Sequence, residues 1–449
     1  MRVLALDVGS SSARARVFDE RAGELEGDAR RTYEPRHGRD GSAEFDPQEL
    51  VAASRAVLDE VAGGRYDALA ISCFWHSLLL LDAGKRPLTP VLLWEDRRAT
   101  AQAEELAGRL DGPRVHARTG CVLHPSYWPA KLAWLRVERP DVLAAARHAV
   151  SFGDYLFLQL TGELRTSLST ASGTGLFHLQ ARTWDAELLD ELAVDAGLLP
   201  PVGDEPTGEP PTFPPLGDGA CSNLGAGCTT PDRAALMIGT SGAYRVMREV
   251  VPKPRAGLFC YFLDEHRVVE GGAVSDGGNV HAWLERTLSL GLPKPREPDA
   301  HGLTFLPLLG GERSPGWNAR ATGAVAGLTF RVDATDLWQA ALEGVTYRLA
   351  EVADALPEVR EVVATGRALL ASPAWIQLCA DVLDRPVKAS AVPEGSARGA
   401  AVHALERLGA EPDPAPLGDS FEPDPKRVEI YAAARERQRD LYRRLFGRA

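Results

Sequence analysis

No apolar run in the chain approaches the length of about 18 residues that a membrane-crossing helix requires. No C-x-x-C pair occurs either. The six cysteines, Cys73, Cys121, Cys221, Cys228, Cys260 and Cys379, are scattered through 449 residues. Thiols spaced this way are expected free and buried in a reducing compartment; they form neither a disulfide framework nor a zinc site. Acidic residues outnumber basic ones, 62 to 50: the resulting net charge of −12 argues against a nucleic-acid backbone or an anionic membrane as partner, although a local positive site for a small anion stays open. A G-x-x-x-x-G-K-[ST] loop is absent, and no G-x-G-x-x-G follows a strand, which argues against a Walker-type phosphate loop and a Rossmann dinucleotide enzyme. There is no internal repeat and no low-complexity tract. No leader precedes the first apolar strand, so a cytoplasmic protein without nucleic-acid or membrane partners is expected.

What is present is an ordinary globular composition, 45% apolar and 25% charged, in a chain long enough for two to four domains. The stretch from Arg2 to Asp19 sets the organisation. Val3 to Leu6 read as a strand, Asp7 ends it, Gly9 to Ser12 turn the chain, and Ala13 to Phe18 run back. A glycine beside three serines brings backbone and hydroxyl donors close to an anion, and a carboxylate at the mouth of that turn suggests a metal between them. An ordinary hairpin with a polar tip has the same pattern. Residues 1 to 35 read as two or three antiparallel strands. A helix is expected from Pro47 to Ala62, capped by Asp46 with Glu49 completing a capping box and stopped by Gly63-Gly64. Asp67 to Cys73 follow as a buried strand, and this strand–helix–strand order argues for an α/β layered domain.

That strand runs into Trp75-His76-Ser77, where loops of open α/β sheets carry ligands. Pro90 to Trp94 form another strand ending in Glu95-Asp96-Arg97-Arg98. Asp96 and Arg98 together offer an acceptor and a donor to a polyol; charges in the first turn of a helix would look the same. Pro200 to Pro215 contain seven prolines and can be neither helix nor central strand. Beyond them, Asp218 stands between Gly217 and Gly219 at the entrance to a small-residue helix, which suits either a carboxylate facing a bulky ligand or a plain N-cap. Ala234 to Ile238 are a strand leading into Gly239-Thr240-Ser241-Gly242. Leu303 to Leu309 read as a strand, Asp336 to Ala355 as an amphipathic helix, and Lys426 to Leu445 as a charged outer helix.

These stretches resemble the FGGY carbohydrate kinases, a family built on the actin/hexokinase/Hsp70 ATPase fold. The likeness lies in Asp7 to Arg14, the His after the second parallel strand, Trp94-x-Asp96-x-Arg98, His124-Pro125 with Lys131 to Leu135, and Ser169 to Phe177. It continues in Asp218, Gly239 to Gly242, the G-E-R-x-P loop from Gly311 to Pro315, and Val362 to Trp375. The resemblance implies an α/β protein of two ribonuclease H-like domains, residues 1–235 and 236–449, with a cleft between them. It implies an ATP-dependent kinase acting with Mg2+ on a small sugar or sugar acid, and a homodimer is compatible with it. Asp218 would be the catalytic base, and Asp7 and Asp218 the metal ligands. Gly9, Ser10, Ser11, Ser12, Arg14, Gly239, Thr240, Ser241, Gly310, Gly366 and Arg367 would hold the nucleotide. Trp75, His76, Asp96, Arg98 and His124 would hold the substrate. Where the family has consecutive glycines in its adenosine motif, this chain has Gly366-Arg367-Ala368; Arg367 is expected either to stack on the base or to weaken nucleotide binding. The Trp75-His76-Ser77, His124-Pro125 and Ser172 to Phe177 stretches are most similar to the gluconate-kinase branch, so D-gluconate is the expected acceptor. Xylulose, ribulose or glycerol are near alternatives, and a non-catalytic nucleotide- and sugar-binding regulator is a distant one.

Overall fold

A meander of three antiparallel strands opens the chain: β1 (Arg2–Val8), β2 (Ser12–Asp19) and β3 (Glu24–Thr32). The computed structural model describes residues 1–447 apart from 62, 64–65, 250–252, 289 and 291–292. Helix α1 (Pro47–Val61) follows; its expected end at Ala62 and Gly64 lies outside the described residues. Asp46 caps it, accepting the N–H groups of Gln48 at 2.8 Å and Glu49 at 3.3 Å. Glu49 does not close a capping box; its carboxylate pairs with Arg36 at 2.9 Å. Strand β4 (Ala68–Cys73) returns parallel to β1. After helix α2 (Trp128–Glu138), strand β5 (Leu216–Gly217) pairs parallel to β4 and passes directly into helix α3 (Asp218–Gly225). The five strands lie in the order β3-β2-β1-β4-β5.

The second half repeats this order. Strands β6 (Arg233–Ile238) and β7 (Gly242–Arg248) form a hairpin, then β8 (Phe259–Phe262) and β9 (Val268–Val274) pair antiparallel. Helices α4 (Gly278–Leu288) and α5 (Ala334–Asp354) lead to β10 (Glu361–Thr365), parallel to β6. The short helix α6 (Arg367–Leu370), β11 (Val387–Ser390), α7 (Gly395–Arg407), β12 (Leu417–Phe421) and α8 (Pro425–Phe446) complete the chain. The sheet runs β8-β9-β7-β6-β10-β11-β12. Its inner strands β9-β7-β6-β10-β11 therefore match β3-β2-β1-β4-β5, although no sequence repeat announces it.

Period-two alternation divides β1 between two cores. Leu4, Leu6 and Val8 pack with α1, and Val3 and Ala5 face the other way. The second face is shared with α7, whose Ala397, Ala400, Ala401 and Ala404 are fully buried. These small residues let α7 cross α3 backbone to backbone. A Cβ on Gly399 would stand 1.8 Å from the Cys221 carbonyl oxygen, and one on Gly225 would stand 1.8 Å from that of Gly395. The two halves are thus locked at the base of the cleft between their sheets. One expectation needs correction: the strand after Leu303 is only Thr304–Leu306. Helix α8 does lie on the outside, with most of its residues at the surface, and its inner face buries Tyr431, Ala434, Gln438 and Tyr442.

Candidate active site

The ends of β1, β4 and β5 meet where the first sheet faces the second. Register places Asp7 beside Ser72 of β4 and opposite Arg14 of β2. Ser72 Oγ donates to Asp7 Oδ1 at 2.8 Å, while Arg14 stands 3.8 Å from Oδ2 and ion-pairs with Glu394, the residue before α7, at 2.5 Å. Burial pushes the Asp7 carboxyl up to about 7. Arg14 and Ser72 oppose the shift, and the nearby carboxylates of Asp218 and Glu394 add to it. In the following turn the Gly9 N–H meets the Ser12 carbonyl at 3.0 Å, Tyr33 OH donates to the Gly9 carbonyl at 2.8 Å, and the buried Ser12 hydroxyl has no partner.

The equivalent turn of the second half, Gly239 to Ser241, rests on the start of α4. The Gly278 N–H donates to the Gly239 carbonyl at 2.8 Å and that of Asn279 to the Thr240 carbonyl at 3.1 Å. Gly277 permits this approach, since its Cβ would lie 2.6 Å from the Ser241 carbonyl carbon. Gly366 closes the same corner with φ +87°, where a Cβ would fall 2.5 Å from the Ile238 carbonyl oxygen. Arg367 is the first residue of α6, exposed and helical. Of the three positions in this motif, only Gly366 requires a left-handed backbone. The Gly310 N–H is held by the buried Asp276 carboxylate at 3.1 Å.

On the other side of Asp218 the chain builds an aromatic pocket. Trp75 is its floor: the indole N–H donates to the Ser169 carbonyl at 3.0 Å, and the ring lies on Gly173, Gly217 and Gly219. His76 has φ +68°, an unusual conformation for a side-chain-bearing residue. Its carbonyl accepts from the buried Lys131 ammonium at 2.7 Å. Its Nδ1–H donates to the Gly173 carbonyl at 2.6 Å, which leaves Nε2 as an acceptor. In His124 the roles reverse. Nδ1 accepts the Ser126 N–H at 3.2 Å, and the buried Nε2–H has no partner. Burial, reinforced by Arg313, holds both imidazoles neutral, down to about 3. Tyr127 and Tyr261 share a hydrogen bond of 2.5 Å beside His76.

Asp218 follows the N-cap Gly217 as the first residue of α3 and is not the cap itself; its Oδ1 accepts the Gly219 N–H at 2.8 Å. Burial raises its carboxyl, against Arg245 and Arg313. Arg245, itself lowered to about 10 by burial, reaches Asn223 Oδ1 at 3.1 Å. Asp96 and Arg98 are spent on one another: Arg98 also pairs with Glu44 at 3.0 Å and stacks on Trp134, while Asp96 accepts the Ala43 N–H. Asp96 remains at the wall of the cleft; the Arg98 guanidinium is turned from it, just as Arg14 is turned to Glu394. Arg313, Arg245, Lys131 and Asp276 are the polar residues of the site that pattern reading did not single out. Only Lys131 and Arg313 carried a hint, by lying inside recognised motifs. One further cluster, Asp299, His301 and Glu343, has metal-ligand composition, but Glu343 already accepts from Gln339, Tyr347 and His301, and Asp299 pairs with Arg437.

Comparison with known proteins agrees with this architecture. Residues 2–207 match the FGGY family of carbohydrate kinases, N-terminal domain, and residues 234–406 match the C-terminal domain of the same family. A gluconokinase of Bacillus subtilis is 29% identical over 91% of this chain and 88% of its own length. A glycerol kinase of Rhodospirillum centenum is 32% identical over 91% and 89%. The crystal structure of a gluconate kinase from Lactobacillus acidophilus superposes with a TM-score of 0.89 at 26% identity, covering 99% of this chain and 98% of that one. The chain belongs to the FGGY family of carbohydrate kinases and is an ATP-dependent sugar kinase with the two-domain actin/hexokinase-like fold.

Proposed function

We propose that the acceptor is D-gluconate and the product 6-phosphogluconate, with residues 1–235 supplying the acceptor pocket and the base and residues 236–449 most of the nucleotide site. The supporting observation is the pairing of a neutral imidazole acceptor, His76 Nε2, with an orphan imidazole donor, His124 Nε2–H, on the acceptor side of Asp218. A polyhydroxylated chain satisfies both. The similarity to gluconokinases points the same way.

In the reaction an acceptor hydroxyl oxygen attacks the γ-phosphorus of ATP while Asp218 takes the hydroxyl proton. The bond to the β–γ bridging oxygen breaks and ADP leaves. A carboxylate is basic enough because the proton moves late in a loose transition state. The two glycine–hydroxyl turns hold phosphates from opposite sides. Closure of the cleft above the α3–α7 crossing would exclude water, which would otherwise compete for the phosphoryl group. The residues fit Mg2+: the carboxylates of Asp7 and Asp218 lie near enough to act on one another and offer the hard oxygen donors this ion takes. Asp7 and Asp218 would hold the ion, which would neutralise charge on the phosphates. We place the enzyme in the cytoplasm; no helix among the described residues is long and apolar enough to cross a membrane.

The test is ADP release with ATP·Mg2+ and gluconate, xylulose, ribulose, glycerol or rhamnulose, for the wild type and Asp218→Ala. Gluconate should give the highest kcat/KM, and the variant should lose roughly 10³-fold or more in kcat with gluconate binding kept within a few-fold. Preference for another acceptor refutes the substrate; near-full turnover by the variant refutes the base.

A further inference from the structure

Trp317 belongs to the second half of the chain, yet its ring lies on residues of the first. Its centroid is 5.2 Å from that of His124, edge to face at 71°, and 5.8 Å from that of Tyr127. The indole N–H donates back to the Gly257 carbonyl at 2.9 Å. The ring is thus tied at one end to its own half and rests at the other on the turn that opens α2. Its backbone has φ +53°, a conformation that a bulky side chain keeps only where its surroundings impose it.

The surroundings here are organised by one carboxylate. Glu312 accepts the Asn318 N–H at 3.1 Å and Tyr442 OH of α8 at 2.6 Å, and it pairs with Arg348 of α5. The Trp317 N–H closes the loop on the Arg313 carbonyl at 2.7 Å. Gly316 lets the chain wrap the carboxylate this tightly, since a Cβ there would stand 2.5 Å from Glu312 Oε2. Glu312 and Arg348 are both buried. A buried ion pair of the second half therefore sets the loop, and Trp317 is the part of it that covers the imidazole of the first.

That imidazole needs the cover. Burial and the Arg313 charge hold His124 neutral, down to about 3; Arg97 and Lys131 act the same way, and the Glu312 carbonyl opposes them. Glu95 and Asp96 stand at the wall of the same cleft. Asp96 is taken by Arg98, and the Glu95 carboxylate lies 3.5 Å from His37. Neutrality fixes the ring, because its Nδ1 accepts the Ser126 N–H at 3.2 Å. A proton on Nδ1 would abolish that bond and the orientation that depends on it.

We propose that Trp317 is a positioning residue for the acceptor: seated from the second half on His124 and Tyr127, it keeps the His124 imidazole dry and aimed at the acceptor. This rests on the reading of His124 as an acceptor-binding residue. Acceptor affinity then depends on where the Glu312 loop sits, although the loop belongs to the other half of the molecule.

The experiment measures ADP release by the full-length enzyme as wild type, Trp317→Ala, Trp317→Phe, His124→Gln and the Trp317→Ala/His124→Gln double variant. The acceptor is whichever sugar or sugar acid the wild type turns over best, so a wrong choice of gluconate leaves the test intact. Trp317→Ala should raise the acceptor KM by about 10-fold or more with the KM for ATP within about two-fold, and Trp317→Phe should recover most of the loss. A hydrated imidazole titrates near its usual value of about 6.5, so the variant-to-wild-type ratio of acceptor kcat/KM should fall a further 10-fold or so from pH 7.5 to 5.5. In the His124→Gln background that ratio should be flat with pH. Thermal midpoints report folding. Should Trp317→Ala lack a cooperative transition, Trp317→Leu takes its place, because it shortens the side chain without emptying the loop. An unchanged acceptor KM, equal rises in both KM values, or a pH-independent ratio in a folded variant would overturn the proposal. If His124→Gln alone leaves the acceptor KM unchanged, the reading of His124 falls and the proposal with it.

Discussion

Replacing Gly217 by Ala is expected to damage both stability and turnover, and the size of the effect follows from the packing of Trp75. A Cβ at 217 would stand 1.8 Å from Cε2 and 2.1 Å from Nε1 of the indole. Carbon atoms rest about 3.5–4 Å apart, so the ring would have to retreat by roughly 2 Å. It has nowhere to go. Gly173 and Gly219 press on it so closely that a Cβ on either would lie 2.6 Å from a ring carbon, and the indole N–H is tied to Ser169 at 3.0 Å. Overpacking costs about 1–3 kcal/mol, and a buried carbonyl and N–H stripped of their bond cost about 1–3 kcal/mol more. The expected destabilisation is therefore about 2–6 kcal/mol, read as a lower denaturant midpoint. Because Asp218 is the next residue, kcat/KM should fall even where the variant is folded. The double variant with Trp75→Ala separates steric conflict from other causes. If the indole is the obstacle, the two substitutions are non-additive, and the double variant is more stable than their sum by at least about 1 kcal/mol. A Gly217→Ala protein within about 0.5 kcal/mol of wild type, or strict additivity, would refute the clamp.

Acidification should destabilise the fold through the two pocket histidines. Their folded values lie near 3, below the usual imidazole value of 6.5, so below about pH 6.5 the unfolded chain takes up protons that the folded one refuses. Each histidine then contributes about 2 kcal/mol of lost stability between pH 7 and 5, and the stability gap between wild type and His124→Gln should narrow by about that amount over the range; a constant gap would exclude it. Arg367→Ala should raise the KM for ATP by about 3–10-fold through loss of an exposed stacking cation, with kcat held within two-fold; an improved KM would show instead that the arginine obstructs the base.

The parts legible in the sequence were those whose cause is local. The Asp46 cap, the β1–β2 turn and the strand into Trp75 each declare themselves within a few residues. The Asp7–Ser72 contact could not be read, because it depends on parallel register between strands 65 residues apart. Arg245 reads as an ordinary strand residue until β7 brings it against α3 and Asp218. Lys131 looks like a solvated residue at a helix start, yet it is 1% exposed, and its ammonium supports the strained His76 carbonyl from 55 residues away. In α8 the density of arginine and glutamate hides the spacing of Tyr431, Ala434, Gln438 and Tyr442, and so hides its buried face. Asp96 and Arg98 show the opposite limit. Their side-by-side placement reads correctly as a donor–acceptor pair, but the sequence does not say that each would choose the other over a ligand.

The repeated strand order gives the two halves equivalent corners. Equivalent points of the fold carry different residues, and the difference in size and charge sets the ligand. After β4 the chain places Trp75 and His76, which fill the corner with rings and present a nitrogen acceptor. After β10, at the matching corner, it places Gly366, whose missing Cβ lets the turn pack against the Ile238 backbone. After β5 comes Asp218 at the start of α3. After β11 the matching position before α7 is Glu394, and this second carboxylate is neutralised by Arg14 across the cleft. Under the proposed mechanism Asp218 is the acid left to accept a proton, while Glu394 ties the halves together through Arg14. The same ion pair holds Arg14 closer to Glu394, at 2.5 Å, than to Asp7 Oδ2, at 3.8 Å. Under the proposed function, the different residues at these equivalent corners suit one half to the acceptor and the other to the nucleotide.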